Sequence, residues 1–219
     1  MSTAGAASIE ETGVIICGGG PTGTALSVLL GLLNIPNIVL EREKDITTDP
    51  RGIALDEDGI RILQSIGIYD RVYTEIGTCK SLLRCGNISR RLADGKGMEK
   101  FNFVTGDGTD PRKKPLLSMK YKTTEGGTGH VGFICHKQPA MEKAIRDQIQ
   151  RTPSCNLRTE ATVTGVNEDE YYAYVEYVDA QGSTHRIKAP FLVGADGKTG
   201  YVRKMYLEPR GIVMEKSEM

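Results

Sequence analysis

Three glycines and one acid carry the clearest chemistry in this 219-residue sequence. Gly18-x-Gly20-x-x-Gly23 has the spacing of a dinucleotide fingerprint. In that pattern the first glycine permits a tight turn, the second lets backbone approach a pyrophosphate, and the third lets a helix pack closely on a strand. A helix starting at Pro21 and Thr22 presents unpaired N–H groups and the positive end of its dipole to phosphates. Glu41 lies 18 residues beyond Gly23. A carboxylate there can accept both hydroxyls of an adenosine ribose, and its charge repels a 2′-phosphate, so the spacing predicts FAD or NAD over NADP. The alternative for Glu41 is a solvated charge opening the run Glu41-Arg42-Glu43-Lys44. With 26 glycines in the chain, chance supplies roughly 0.4 such triplets, so the motif counts only in its context.

The elements that must position these residues can be read on either side. Gly13 to Cys17 is an apolar run, which predicts a buried strand feeding the glycine turn. Leu26, Leu29, Leu30 and Leu33 recur at helical spacing after Pro21 and predict the apolar face of a helix that Asn34 and Pro36 stop. Asn37 to Leu40 reads as a second buried strand ending at Glu41. Strand, glycine turn, helix, strand is the βαβ unit of a parallel sheet. A second helix is expected after residue 56, with Asp56 and Glu57 in its first turn, an apolar face of Ile62, Leu63 and Ile66, and Gly67 as its stop. Residues 77 to 135 read as short antiparallel strands and long loops. Gln138-Pro139 opens a third helix with Met141, Ala144, Ile145 and Ile149 as its buried stripe. Residues 161–166, 172–178 and 185–188 read as a β-meander, and its tyrosines at 171, 172, 174 and 177 read as strand packing, since no basic residues interleave with them. Phe191-Leu192-Val193 predicts another buried strand, followed by Gly194-Ala195-Asp196-Gly197 and a short helix from Tyr201 to Tyr206.

Composition narrows the class. Lys+Arg and Asp+Glu number 28 each, which argues against nucleic-acid or anionic-membrane binding through bulk charge. No stretch approaches the ~20 apolar residues of a membrane span, and the first eight residues lack the pattern of a signal peptide. Five scattered cysteines without a Cys-x-x-Cys pair suit free thiols in a reducing cytoplasm. Three histidines stand apart from any metal-ligand spacing, so no metal site is expected.

The cluster Cys17-Gly18-Gly19-Gly20-Pro21-Thr22-Gly23, followed by Val39-Leu40-Glu41-Arg42, resembles the FAD-dependent aromatic hydroxylases, the flavoprotein monooxygenases of the phenol hydroxylase and para-hydroxybenzoate hydroxylase kind. Three later segments match in the same order: Pro50-Arg51-Gly52, Gln138 at the head of its helix, and Gly194-Ala195-Asp196-Gly197 with Val202-Arg203 after it. The resemblance implies an α/β fold, in which a Rossmann-like FAD-binding βαβ domain with a parallel sheet carries a β-meander and an incomplete substrate-domain sheet. It implies cofactor contacts from Gly18, Gly20, Pro21, Thr22, Gly23, Glu41, Arg42, Arg51, Gln138 and Asp196. Arg51 would neutralise pyrophosphate charge or lie close to the flavin, and Gln138 would offer a donor and an acceptor to a ribityl hydroxyl or phosphate oxygen. It also implies hydroxylation of a phenolic or polyketide-type aromatic with NAD(P)H and O2. No Tyr, His or Asp is singled out by spacing as a catalytic base.

The expected organisation is a flexible leader (1–12), an FAD-binding domain (13–76 and 136–207), a partial substrate-domain insertion (77–135) and a tail (208–219). The sequence departs from the family in length. It stops at Met219 before any second Gly-Asp motif; Gly106-Asp107 precedes the Asp-Gly segment and reads as a loop. Three expectations stand side by side: a shortened hydroxylase or fragment, a short paralogue that binds a dinucleotide without redox chemistry, or a site completed by a homo-oligomer or a partner chain.

Overall fold

The structure is a computed structural model and describes residues 9–48, 54–76, 100–103, 117–120 and 133–214. In chain order the elements are β1 (Glu10–Glu11), β2 (Val14–Cys17), α1 (Pro21–Leu32), β3 (Asn37–Leu40), β4 (Ala54–Asp56), α2 (Glu57–Ser65), α3 (Tyr69–Ile76), β5 (Lys100–Phe103), β6 (Leu117–Lys120) and β7 (Phe133–Cys135). After these come α4 (Gln138–Gln150), β8 (Cys155–Arg158), β9 (Thr162–Glu168), β10 (Ala173–Val178), β11 (Thr184–Ala189) and β12 (Phe191–Gly194), then a wide helical turn, Val202–Leu207, and a short 3-10 turn, Glu208–Arg210. The chain divides into two compact units, Met1–Thr47 with Ile145–Met219, and Thr48–Ala144. Both borders fall inside the segments that the sequence assigns to the FAD-binding half.

In the first unit, Val14, Ile15, Ile16 and Cys17 are all buried, as a central parallel strand covered on both faces requires. The sheet runs β12-β2-β3-β8, every pair parallel. Its register sets Gly194, Cys17, Leu40 and Arg158 level with one another. Four strand ends therefore share one rim, the place where open α/β sheets bind ligands.

Side-chain alternation decides what each face meets. Ile15, Cys17, Ile38 and Leu40 pack against Val175, Tyr177, Ile187 and Ala189 of the second sheet. Val14, Ile16 and Val39 face the other way, against Leu26 and Leu30. That second sheet runs β1-β11-β10-β9, with the expected antiparallel meander at 162–168, 173–178 and 184–189. Each fully buried Ile or Val here contributes on the order of 1.5–3 kcal/mol. The unit is thus three layers deep: α1, the parallel sheet and the meander.

Four expectations need correction. The buried residues of α1 are Gly23, Thr24, Ser27, Val28 and Gly31, while Leu33 is 71% exposed. The leucine stripe loses to small residues because the helix lies too close to the sheet for larger ones: a Cβ on Gly31 would overlap Cys155 Sγ. Phe191 is 67% exposed: among the described residues β12 stands at the edge of its sheet and not in its interior. Glu10–Glu11, inside the expected leader, pairs in parallel with β11; two glutamates carry no strand signal, and main-chain bonds make this one. Finally, the meander tyrosines do meet bases. Lys188 Nζ lies 4.5 Å from the Tyr172 ring centre and the Arg186 guanidinium 5.3 Å from that of Tyr174. The pairing is across strands, which linear spacing hides.

The described residues of the second unit form two small antiparallel pairs, β4 with β7 and β5 with β6; β5, β6 and β7 fall within the 77–135 stretch where short antiparallel strands are expected, and β4 lies outside it. Asp56 caps α2 by accepting from Gly59 N at 3.0 Å, with Glu57 and Asp58 in the first turn. Ile60 and Leu63 form its buried face, whereas Ile62 is 45% exposed. Gly67 (φ +75°) ends the run. The stripe of α4, which spans the border between the units, is buried as expected at Met141, Ala144, Ile145 and Ile149.

Candidate dinucleotide-binding site

Each glycine of the loop meets a different physical demand. Gly18 takes φ +111°, and a Cβ there would overlap the Ala195 carbonyl; no L side chain fits. Its N–H donates to the Leu40 carbonyl at 2.8 Å, tying the turn to the end of β3. Gly23 packs so tightly that a Cβ would overlap the Gly18 carbonyl. Gly20 is the opposite case: nothing lies within 4 Å of where its Cβ would be. That open cradle sits at the N-cap of α1, which has no side-chain cap and no acid in its first turn. Among the described residues no side chain compensates the N–H groups of Thr22 and Gly23 or the dipole end. Thr24 Oγ1 folds back and donates to the Gly20 carbonyl at 2.8 Å, holding the first turn.

Glu41 leaves the end of β3 and points into the loop. Its Oε2 accepts from Gly19 N at 2.7 Å, and its Oε1 accepts from Glu43 N at 2.8 Å. Each oxygen retains acceptor capacity, enough for the two hydroxyls of a cis-diol. The Glu41 main chain is gripped on its far side, its N–H donating to the Arg158 carbonyl and its carbonyl accepting from Ala161 N, both at 2.8 Å. Gly19, only a spacer in the motif, matters here: a Cβ on it would come within 2.7 Å of Glu41 Cβ. Spacing could not reveal this, because it depends on where the neighbouring strand ends. Arg42 is 74% exposed and pairs with Glu43 at 3.0 Å.

Asp196 is brought beside this loop by the bond from Ala195 N to the Cys17 carbonyl, 2.7 Å. Its Oδ2 accepts from Val202 N at 3.0 Å, so the carboxylate caps the turn that follows. Gly200 must lack a side chain because a Cβ would overlap that carboxylate. Burial, helped by the Asp196 charge, pushes the Cys17 thiol up to about 12, which leaves it inert. Thr22, Asp196, Tyr171, Phe191, Arg203 and Tyr206 line a cavity of about 850 Å³ on this side of the unit. Gln138, in the other unit, opens α4 and donates from Nε2 to the buried Glu142 Oε1 at 2.6 Å. Arg51 lies outside the described residues. Among the described residues no cluster of three His, Cys, Asp or Glu side chains is placed to hold a metal, and no helix is long and apolar enough to cross a membrane.

An open cradle over uncapped amides, with a carboxylate that keeps spare acceptors, fits an adenine dinucleotide. A family model described as an FAD binding domain matches residues 11–213. The chain belongs to that FAD-binding family. Among curated relatives of this FAD-binding domain, the 3-(3-hydroxy-phenyl)propionate/3-hydroxycinnamic acid hydroxylase 2 of Burkholderia vietnamiensis is 26% identical over 196 residues, covering 90% of this chain and 31% of the relative. A Rhodococcus jostii protein described as a probable NADH-specific resorcinol 4-hydroxylase is 29% identical over 192 residues, covering 87% and 32%. The chain therefore spans about a third of the length of the curated relatives it matches. In fold it is similar to p-nitrophenol 4-monooxygenase PnpA from Pseudomonas putida (TM-score 0.73, 20% identity, 90% of this chain and 44% of that one). It is also similar to the flavin-dependent monooxygenase PieE in complex with FAD and substrate (TM-score 0.72, 22% identity, 97% and 34%). The α/β architecture with its parallel sheet and meander is that of these monooxygenases.

Proposed function

We propose that the chain is the FAD-binding portion of an FAD-dependent monooxygenase that hydroxylates a phenolic or polyketide-type aromatic with NAD(P)H and O2. The observation that carries the reading is the Glu41 carboxylate, bonded to the Gly19 amide of an open glycine cradle while keeping acceptors free. The hydroxylases among the relatives support the substrate class, and one of them is described as NADH-specific.

In this reading Gly20 leaves room for the diphosphate, and the Thr22 and Gly23 amides donate to its oxygens. Glu41 accepts from the ribose hydroxyls. The charge of Glu41 disfavours a 2′-phosphorylated ribose. Pro21 and Thr22 line the approach, Arg42 adds positive charge nearby, and Asp196 shapes the loop by capping. Arg51 and Gln138 are assigned to the cofactor on the resemblance alone. When bound, FAD supplies the redox chemistry; these residues bind and orient it. Cys17 and Cys155 are free thiols, which supports a cytoplasmic setting.

A second reading is a non-catalytic dinucleotide-binding protein, or one completed by a second copy or a partner chain. Among the described residues β12 stands at the edge of its sheet, and Phe191, Ile212 and Met214 are exposed along the cavity beside it, which favours this reading. Purifying the chain, recording its flavin absorption and adding NADH or NADPH anaerobically separates the two. Bound flavin that bleaches supports the hydroxylase. Bound flavin that stays oxidised supports the second reading, and retained NAD without flavin replaces both with an NAD-dependent oxidoreductase.

A further inference from the structure

We propose that Arg158 is the positioning residue of the ribose site, acting on Glu41 through the end of β8; the inference rests on the reading of Glu41 given above. The Arg158 guanidinium is spent inside the protein. Nη2 donates to Glu10 Oε1 at 2.6 Å, while Nη1 donates to Glu10 Oε2 at 2.7 Å and to the Tyr177 hydroxyl at 2.9 Å. This is the bidentate fork of a charge-assisted pair, the kind that specifies geometry as well as energy. It lowers the pKa of Glu10 and raises that of Arg158, in both cases chiefly through the hydrogen bond between them. The Arg158 side chain is only 22% exposed. Tyr177 is itself held, its ring stacked on His185 with centroids 5.0 Å apart.

The anchor joins two sheets. Arg158 ends β8 of the parallel sheet, whereas Glu10 and Tyr177 belong to β1 and β10 of the meander sheet. What it anchors is the backbone that grips Glu41. The Arg158 carbonyl accepts from Glu41 N, and after a bend Ala161 N donates back to the Glu41 carbonyl. Glu160, inside that bend, adopts φ +56°, a conformation that non-glycine residues rarely take and that persists only where the surroundings enforce it. The bracket leaves the Glu41 main chain little freedom, so its carboxylate stands at the Gly19 amide. Without the fork, the end of β8 keeps its sheet bonds but loses its side-chain tie to β1 and β10.

The test is a double-mutant cycle on the full chain, read by calorimetric titration with ADP and with FAD, and by thermal melting. Lys at 158 keeps the charge and loses the fork. Arg158→Lys is expected to weaken both nucleotides about tenfold, and Tyr177→Phe, which removes one hydroxyl, about two- to fourfold. In a Glu41→Ala background the same changes should move affinity by less than about twofold, because the group they position is gone. If Arg158→Lys costs the same with and without Glu41, Arg158 is a general structural residue and the proposal is overturned. If it leaves affinity unchanged while lowering the melting temperature, the proposal is also overturned. Should Arg158→Lys fail to fold, Tyr177→Phe decides by the same rule. A wild-type chain that binds neither ADP nor FAD, or a Glu41→Ala chain that binds as wild type, removes the underlying reading itself and the inference with it.

Discussion

Two glycine-bearing loops leave neighbouring strand ends side by side, and they are built for different ends. The loop after β2 leaves Gly20 facing empty space, the first turn of α1 uncapped, and a carboxylate from β3 with acceptors to spare. The loop after β12 has its own carboxylate, Asp196, already committed to the Val202 amide and packed against Gly200. Both loops satisfy the same demand for paired backbone groups, but among the described residues the first sets its carboxylate beside an open cradle at a helix N-terminus, and the second sets its carboxylate under the turn that follows. The difference teaches that two acids beside glycine turns can look alike in sequence while one stands at an open cradle and the other caps a turn.

The sharpest way to break the first loop is Gly18→Ala. It forces an L side chain into φ +111° and into the Ala195 carbonyl, at a cost of about 2–4 kcal/mol. Urea melts should show that loss together with lost FAD retention; a variant of wild-type stability would mean that the two loops do not depend on each other. Next comes Glu41→Gln, which removes the charge and keeps the shape. Wild type should prefer ADP-ribose over 2′-phospho-ADP-ribose by about 1–3 kcal/mol, and the variant should lose most of that preference. An unaltered preference would show that the carboxylate does not face the 2′-position. Asp196→Ala tests the other loop. Loss of its cap should cost about 1 kcal/mol of stability while ADP affinity changes less than about twofold; a large affinity loss with unchanged stability would make Asp196 a ligand contact.

The smallest effect concerns pH. The Cys17 thiol ionises near 12 in the folded chain, above its ordinary 9.0. The folded state therefore keeps a proton that the unfolded state releases, so this contribution is intact below pH 9 and is lost as pH rises towards 12. By pH 10 the loss is roughly 1 kcal/mol. Cys17→Ala should flatten the alkaline fall in stability by that amount, and parallel curves for both chains would contradict it.

Much of the site could be read from residue types because its demands are steric. Gly18 and Gly23 stand where any Cβ collides, and the acid at the end of the second strand reaches back to the Gly19 amide of the loop. What escaped reading depends on neighbours that lie far away in the chain. The leucines of α1 gave a helical period, yet contact distance chose Gly23, Ser27 and Gly31 for the buried face. Phe191-Leu192-Val193 looks as apolar as β2, and only the strand order reveals an edge. β8 carries a single large aliphatic, Leu157, so no pattern announced it, and with it went Arg158. The partners of Arg158, Glu10 and Tyr177, lie in a different sheet, and no local spacing links them. α3 likewise went unread, since its stretch from Tyr69 mixes charges and apolar residues over only two turns.

The most direct test of the central claim is a calorimetric titration of the 219-residue chain with ADP, run beside Glu41→Ala. The account predicts saturable binding by wild type, weakened by about 1–3 kcal/mol in the variant. Equal affinities, or no binding by either chain at millimolar ADP, would contradict it.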